Sequence, residues 1–97
     1  MDITQEPKYD CIGGKLVNRA TGVAIPDDEP VFVLRAKDRC ARAAIEHYLK
    51  QVTDQLHRAV VQSRLTDFQR FASHNPSLMK QPDSEAVNLA SDPEKGD

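Results

Sequence analysis

The sequence predicts an α+β fold: a small antiparallel sheet of three or four short strands, an αα-hairpin after it, and a disordered acidic C-terminal tail. Three observations lead to this prediction. Glycine and turn residues interrupt short β-prone runs over residues 8–34. Apolar residues then recur at steps of three and four as far as residue 75. From residue 76 onwards Pro, Ser, Asp, Glu and Lys predominate, a composition that cannot bury a core.

The 97 residues are therefore divided into a loose leader at residues 1–7, a single domain at residues 8–75, and a disordered or loosely attached tail at residues 76–97. Acidic side chains outnumber basic ones in the tail, whereas the domain is nearly neutral. There are only five aromatic residues and no tryptophan in the chain, so the supply of core residues is small. Because self-association is one remedy for a marginal core, we expect a homo-oligomer.

Four short segments are candidate strands. Residues 8–12 and 15–18 flank the Gly13-Gly14 pair, which is typical of a two-residue hairpin turn. A turn at residues 18–22 leads to a third segment at 23–25. The fourth, Val31–Leu34, follows Pro30 and consists of four consecutive apolar residues, so we expect a strand buried on both faces. The short connections predict antiparallel pairing.

The helical part begins at Asp38, which is a favourable N-cap residue with an acidic side chain. Arg42, Glu46 and Lys50 lie four residues apart and predict an exposed row of ion pairs on the first helix. The second helix is expected to end at Asn75-Pro76, because the residue before a proline disfavours helical geometry. One apolar stripe follows the first helix: Ala41, Ala44, Ile45, Tyr48, Leu49 and Val52.

The apolar stripe changes phase in the middle of this region. At 100° per residue, the later apolar positions lie roughly 160° from the face that carries Ile45. Ending the first helix near Thr53, an acceptable N-cap for a second, resolves this conflict and predicts two helices. The alternative is one continuous helix whose second face packs on a partner chain. The second helix would bury one wide face: Leu56, Val60, Val61, Leu65, Phe68 and Phe71.

Composition also limits the class of protein. The formal net charge of −2 argues against a nucleic-acid binder, which usually has a basic excess. No apolar run approaches 18 residues and no signal-peptide pattern begins the chain, so we expect a cytoplasmic protein without a membrane segment. In that reducing compartment, Cys11 and Cys40 are expected to be small buried hydrophobic residues rather than a disulfide.

The strongest candidate site is a cluster of four cations in eight residues, between the last predicted strand and the first helix. Backbone N–H groups at a helix start favour anions, and guanidinium groups could bind a phosphate or a nucleotide there. Two observations argue for structural ion pairing instead: Asp38 lies inside the cluster, and the acidic run Asp27–Glu29 could neutralise it within or between chains. No glycine-rich loop is present. The candidate residues are Arg35, Lys37, Arg39 and Arg42.

Other reactive residues do not form a recognisable motif. The acidic run Asp27–Glu29 lacks the alternating spacing of a calcium loop, so we interpret it as a solvated turn. His47, His57 and His74 do not have the spacing that places two metal ligands on one helix face. Cys40 has no identifiable base partner. We therefore predict no catalytic residues, no metal and no cofactor.

The segment Gly14–Gly22 together with Ile25–Asp38 resembles a group of small, largely uncharacterised accessory proteins of phages and prophages. The shared pattern is Gly-Lys-Leu-Val-Asn, then Thr-Gly, then Ile-Pro-Asp-Asp-Glu-Pro-Val-Phe-Val-Leu-Arg-Ala-Lys-Asp. The similarity continues through His57–Val61 and Phe68 to Lys80, and so covers most of residues 8–82. It implies a setting, a gene of a virus that infects bacteria, and assigns no functional residue.

Small proteins of this kind often disable a host factor or sequester a defence signal. The sequence therefore predicts a non-enzymatic phage accessory protein that acts in the bacterial cytoplasm against a defence system. Its partner would be a host protein or an anionic, nucleotide-like small molecule. The alternatives are a protein-interaction module with no small ligand and a small DNA-binding regulator.

Overall fold

A computed structural model describes residues 6–84 of the chain. It confirms the α+β class with two helices, while predictions for residues 1–5 and 85–97 lie outside the described residues. The order of elements is β1 (Tyr9–Ile12), β2 (Lys15–Asn18), α1 (Ala41–Gln51), α2 (Gln55–His74) and a short 3-10 helix at Pro76–Leu78.

β1 and β2 form the predicted antiparallel hairpin, with Tyr9 opposite Asn18 and Ile12 opposite Lys15. Gly13 and Gly14 have φ angles of 60° and 78°, which are the left-handed values that a two-residue hairpin turn needs at both central positions. The hairpin turn was therefore predictable from these two glycines.

The prediction of three or four strands is not confirmed, because only two strands occur in the described part of the chain. The third candidate, residues 23–25, is reduced to a single antiparallel bridge between Ala24 and Val17. The fourth, Val31–Leu34, makes no bridge to another strand within residues 6–84. A strand requires a neighbour for its N–H and C=O groups as well as β-prone side chains, and this segment has only the side chains.

The two helices are separate, so the alternative of one continuous helix is wrong. Asp54 is the N-cap of α2, and its Oδ2 accepts a hydrogen bond of 2.8 Å from the backbone N–H of His57. The predicted N-cap, Thr53, is one residue too early. Asp38 is also not the N-cap of α1: that position is Cys40. The Asp38 Oδ1 instead accepts from the Cys40 N–H at 2.7 Å, just before the helix begins.

The core lies between α1 and α2 and is small. The buried apolar residues among those described are Ala41 of α1 and Val61 and Leu65 of α2. Leu56, which we predicted to lie on the buried face of α2, is 77% exposed, although its neighbours His57 and Arg58 both contact α1. The ion-pair row on α1 is present in part, as the Arg42 Nε to Glu46 Oε1 pair at 3.1 Å.

Candidate functional site

The four predicted site residues lie on and after a tight turn rather than at a direct strand-to-helix junction. The N–H of Asp38 donates to the carbonyl of Arg35 at 3.0 Å, which closes the turn. The carbonyl of Asp38 then accepts from the N–H of Ala41, where α1 starts. Backbone hydrogen bonds therefore fix the position of each cation along this segment.

A second segment holds this turn from the other side. The N–H of Lys80 donates to the carbonyl of Lys37, and the carbonyl of Lys80 accepts from the N–H of Arg39, both at 2.9 Å. These two bonds form a parallel bridge between Asp38 and Lys80. The sequence analysis placed Lys80 in the tail, because a single bridge leaves no periodic pattern. Residues 76–84 of that predicted tail thus contain a 3-10 helix and this attachment to the domain.

The structure divides the four cations between two cavities. Arg35 and Lys37 line a wide groove of about 970 Å³. Arg39 and Arg42 line a smaller pocket of about 300 Å³. Phe68 of α2 lines both cavities, so the two are neighbours that share an aromatic wall. The four cations that are clustered in the sequence are therefore two pairs in the structure, Arg35 with Lys37 and Arg39 with Arg42.

The wide groove combines an apolar lining with three cationic residues, and two acidic residues, Glu6 and Glu29, line it as well. Phe68 and Phe71 of α2 line the groove. The segment Val31–Leu34, which precedes α1 in the sequence, also lines it. A third cation, Arg64 of α2, also lines the groove and was missed by the sequence analysis. It lies far from Arg35 and Lys37 in sequence, and only the folded chain brings it to the same groove. Arg64 pairs with Asp67 at 3.3 Å, and its side chain is 24% exposed.

Three of the four cations in the cluster have no carboxylate partner among residues 6–84. Asp27 pairs with Lys15 at 2.8 Å. Among residues 6–84, neither Arg35 nor Lys37 has a carboxylate within the 4.0 Å of an ion pair, and the same holds for Arg39. Arg42 is neutralised by Glu46 on its own helix. The two groove cations therefore retain charge for a ligand or a partner.

The smaller pocket is less suited to an anion. Its two cations are Arg39 and the already paired Arg42, and Asp38 also lines it. The remaining lining is apolar and includes Ala72 and Met79. An anion in this pocket would meet one unpaired guanidinium beside a carboxylate, whereas the wide groove offers the two unpaired cations Arg35 and Lys37, although Glu6 and Glu29 also line it.

The other sequence candidates are placed as follows. The acidic run Asp27–Glu29 forms the predicted exposed turn, closed by the Glu29 N–H and the Pro26 carbonyl at 3.1 Å. The His57 ring is 3.1 Å from the Tyr48 hydroxyl, between the two helices. Cys40 is exposed, so the prediction that it is buried is wrong, and Cys11 is only half-buried. The Cys40 thiol lies 3.6 Å from the amide oxygen of Gln81, which is not a base. Among residues 6–84, no group of three or more His, Cys, Asp or Glu side chains is arranged so that it could hold a metal ion.

Comparison of the chain with protein-family models, with curated proteins and with solved structures finds no match. None of the helices within the described residues is both long and apolar enough to cross a lipid bilayer.

Proposed function

We propose that the protein is a non-enzymatic phage accessory protein that binds a nucleotide-like signal in the wide groove and thereby counteracts a bacterial defence system. The observation that supports this proposal is the combination of Arg35, Lys37 and Arg64 with aromatic rings in one groove of about 970 Å³. Sequestration requires binding alone, and it needs neither catalytic groups nor a cofactor. The proposed setting is the bacterial cytoplasm, with the protein acting as a homo-oligomer.

The groove chemistry suits a ligand that has an anionic part and a flat apolar part. Nucleobases stack on aromatic side chains, and Phe68 and Phe71 present two rings to the groove. Guanidinium and ammonium groups make short, charge-assisted hydrogen bonds with phosphate oxygens. A nucleotide satisfies both requirements, whereas a simple sugar lacks the charge and an inorganic anion lacks the ring.

A host protein is the alternative occupant, and a specific observation favours it. Phe32, Val33 and Leu78 line the groove with exposed fractions of 86%, 74% and 54%. Such a patch is also typical of a protein-docking surface. A DNA-binding regulator is less well supported, because the four cations face two cavities rather than forming one continuous basic face.

Calorimetric titration of the protein with a panel of linear and cyclic nucleotides tests the proposal. We expect binding by at least one nucleotide, with an affinity that falls steeply as salt is raised from about 0.05 M to about 0.5 M. The Lys37→Gln and Arg64→Gln variants should each weaken binding about tenfold, because each removes one charge-assisted contact. Lys50→Gln is the matched control, since Lys50 is an exposed cation of α1 that lines none of the described cavities.

Two results would overturn the nucleotide proposal. One is the absence of binding by every member of the panel at millimolar concentration. The other is binding that Lys37→Gln and Lys50→Gln weaken equally, since that would reflect general charge attraction rather than the groove. Salt-insensitive capture of a host protein, lost when Phe32 is replaced by Ala, would instead support the docking alternative.

A further inference from the structure

The segment Val31–Leu34 has the sequence of a strand but lacks a strand partner. Val31, Phe32 and Val33 are 54%, 86% and 74% exposed. None of the four residues forms a backbone hydrogen bond to another residue in the part of the chain that the structure describes. A β-prone apolar segment whose N–H and C=O groups have no partner in the described chain is one onto which another strand can add.

The residues on either side of this segment carry opposite charges in a symmetric arrangement. Glu29 lies three residues before Phe32, and Arg35 lies three residues after it. If two copies of the segment ran antiparallel with Phe32 at the centre, Glu29 of each copy would lie opposite Arg35 of the other. Neither side chain has an ion-pair partner among residues 6–84, so both are available.

We propose that two copies of this chain associate by antiparallel backbone pairing of Val31–Val33, centred on Phe32. The N–H of Glu29 and the carbonyl of Arg35 already form the two flanking turns, so these two residues join the contact through their side chains. A two-fold axis generates the contact, so the same patch is used on both copies. Two apolar segments cover each other, and two Glu29–Arg35 pairs between the copies fix the register. The occupant of this edge is therefore a second copy of the chain rather than an unrelated peptide.

Pro30 is compatible with the same register. Proline has no N–H group, so it must occupy a position whose backbone does not pair with the neighbouring strand. Antiparallel residues alternate between hydrogen-bonded and non-hydrogen-bonded pairs, so Phe32 and Leu34 then share the non-hydrogen-bonded class with Pro30. Val31 and Val33 occupy the hydrogen-bonded class and lie opposite each other across the two copies. Each would exchange both N–H···O=C bonds with its counterpart.

This dimer gives a structural basis for the homo-oligomer of the proposed function, and it does not depend on nucleotide binding. Because Arg35 pairs with Glu29 of the other copy, Lys37 and Arg64 are the groove cations left for a ligand. The dimer also explains why the predicted fourth strand is absent from the single chain: its neighbour belongs to a second molecule. Pairing at this edge places the groove next to the two-fold axis, since Glu29 and Arg35 line the groove as well.

Sedimentation equilibrium of the full chain without any nucleotide tests the proposal. The wild type should be dimeric at about 100 µM, and Glu29→Arg and Arg35→Glu should each weaken the dimer at least about tenfold by opposing like charges. The double variant E29R/R35E should restore it, because the exchanged charges again lie opposite each other. Restoration also shows that the single variants did not simply misfold.

A second variant examines the backbone pairing. Val33→Pro removes an N–H that forms no hydrogen bond within the described chain. In the dimer, the Val33 N–H of each copy would donate to the Val31 carbonyl of the other, so the change removes two intermolecular hydrogen bonds. It should therefore give a monomer with the helical circular dichroism of the wild type. A wild type that is monomeric at about 100 µM would overturn the proposal. So would a dimer whose affinity E29R, R35E and V33P leave unchanged. A double variant that dimerises as weakly as the single variants would overturn it as well. Because no nucleotide is present, none of these results depends on the proposed ligand.

Discussion

Asp54 shows how much a single side chain can decide in this fold. The link between the helices is only three residues long, Val52–Asp54, and the Asp54 carboxylate accepts from the N–H of His57 at 2.8 Å. The first backbone N–H groups of α2 have no partner within the helix, so this bond satisfies one of them. The carboxylate also lies at the positive end of the helix dipole.

We therefore expect Asp54→Ala to lower the free energy of unfolding by about 1 kcal/mol. Urea denaturation monitored by circular dichroism measures this change. Asp54→Asn retains the acceptor and should recover most of the loss. Thr53→Ala is the matched control, because the structure gives the Thr53 side chain no capping bond. If Thr53→Ala cost as much as Asp54→Ala, Asp54 would not be the energetically relevant cap.

At the scale of elements, the joint between α1 and α2 depends on Arg58. Its Nη1 donates to the carbonyl of Leu49 at 2.9 Å and to that of Val52 at 2.8 Å. Both carbonyls belong to the C-terminal end of α1, where the helix dipole is negative, and the Leu49 carbonyl also accepts from the Val52 N–H at 3.3 Å. One guanidinium on α2 thus closes the end of α1 and holds the two helices together.

Replacing Arg58 by Ala should cost about 1 kcal/mol of unfolding free energy, through two lost hydrogen bonds in a partly solvated site. Arg70→Ala provides the comparison, since it removes the same side chain from an exposed position of the same helix, where no carbonyl is bound. The measurement is again a denaturation midpoint with an unchanged slope. Equal losses for Arg58→Ala and Arg70→Ala would contradict the role given to Arg58.

The same scale explains which elements the sequence could predict. Helices satisfy their own backbone, so the 3.6-residue pattern and its change of phase near Thr53 were sufficient to predict two of them. The Gly13-Gly14 hairpin was predictable because its turn is a local property. Val31–Leu34 was predicted as a strand from its side chains alone, and the structure describes no partner for it.

For the site, the sequence pointed to four clustered cations, and their role in binding stays a prediction. Their division between two cavities depends on the turn and on Lys80, which are tertiary features. Arg64 reaches the groove only through the packing of α2. Contacts between residues far apart in sequence follow from tertiary structure, which no local pattern records.

At the scale of the whole molecule, the core is too small for the apolar content. Ala41, Val61 and Leu65 are the buried apolar residues in the described range, while eight large apolar side chains remain exposed. Single exposed apolar residues are normal on protein surfaces. A patch that joins Val31–Val33 to Leu78 in one groove is not, and the proposed dimer would bury part of it between two molecules.

This view predicts that thermal stability depends on protein concentration. If native chains associate and unfolded chains do not, mass action should raise Tm by about 3–5 °C for each tenfold increase in concentration. Differential scanning calorimetry from about 10 µM to about 1 mM measures the slope. Phe32→Ala should flatten it, because Phe32 is 86% exposed in the single chain and therefore contributes through the association. Leu56→Ala, at a residue that is 77% exposed but lies outside the groove, should leave the slope unchanged. A wild-type Tm that stays constant over this range would show that the single chain is stable without a partner.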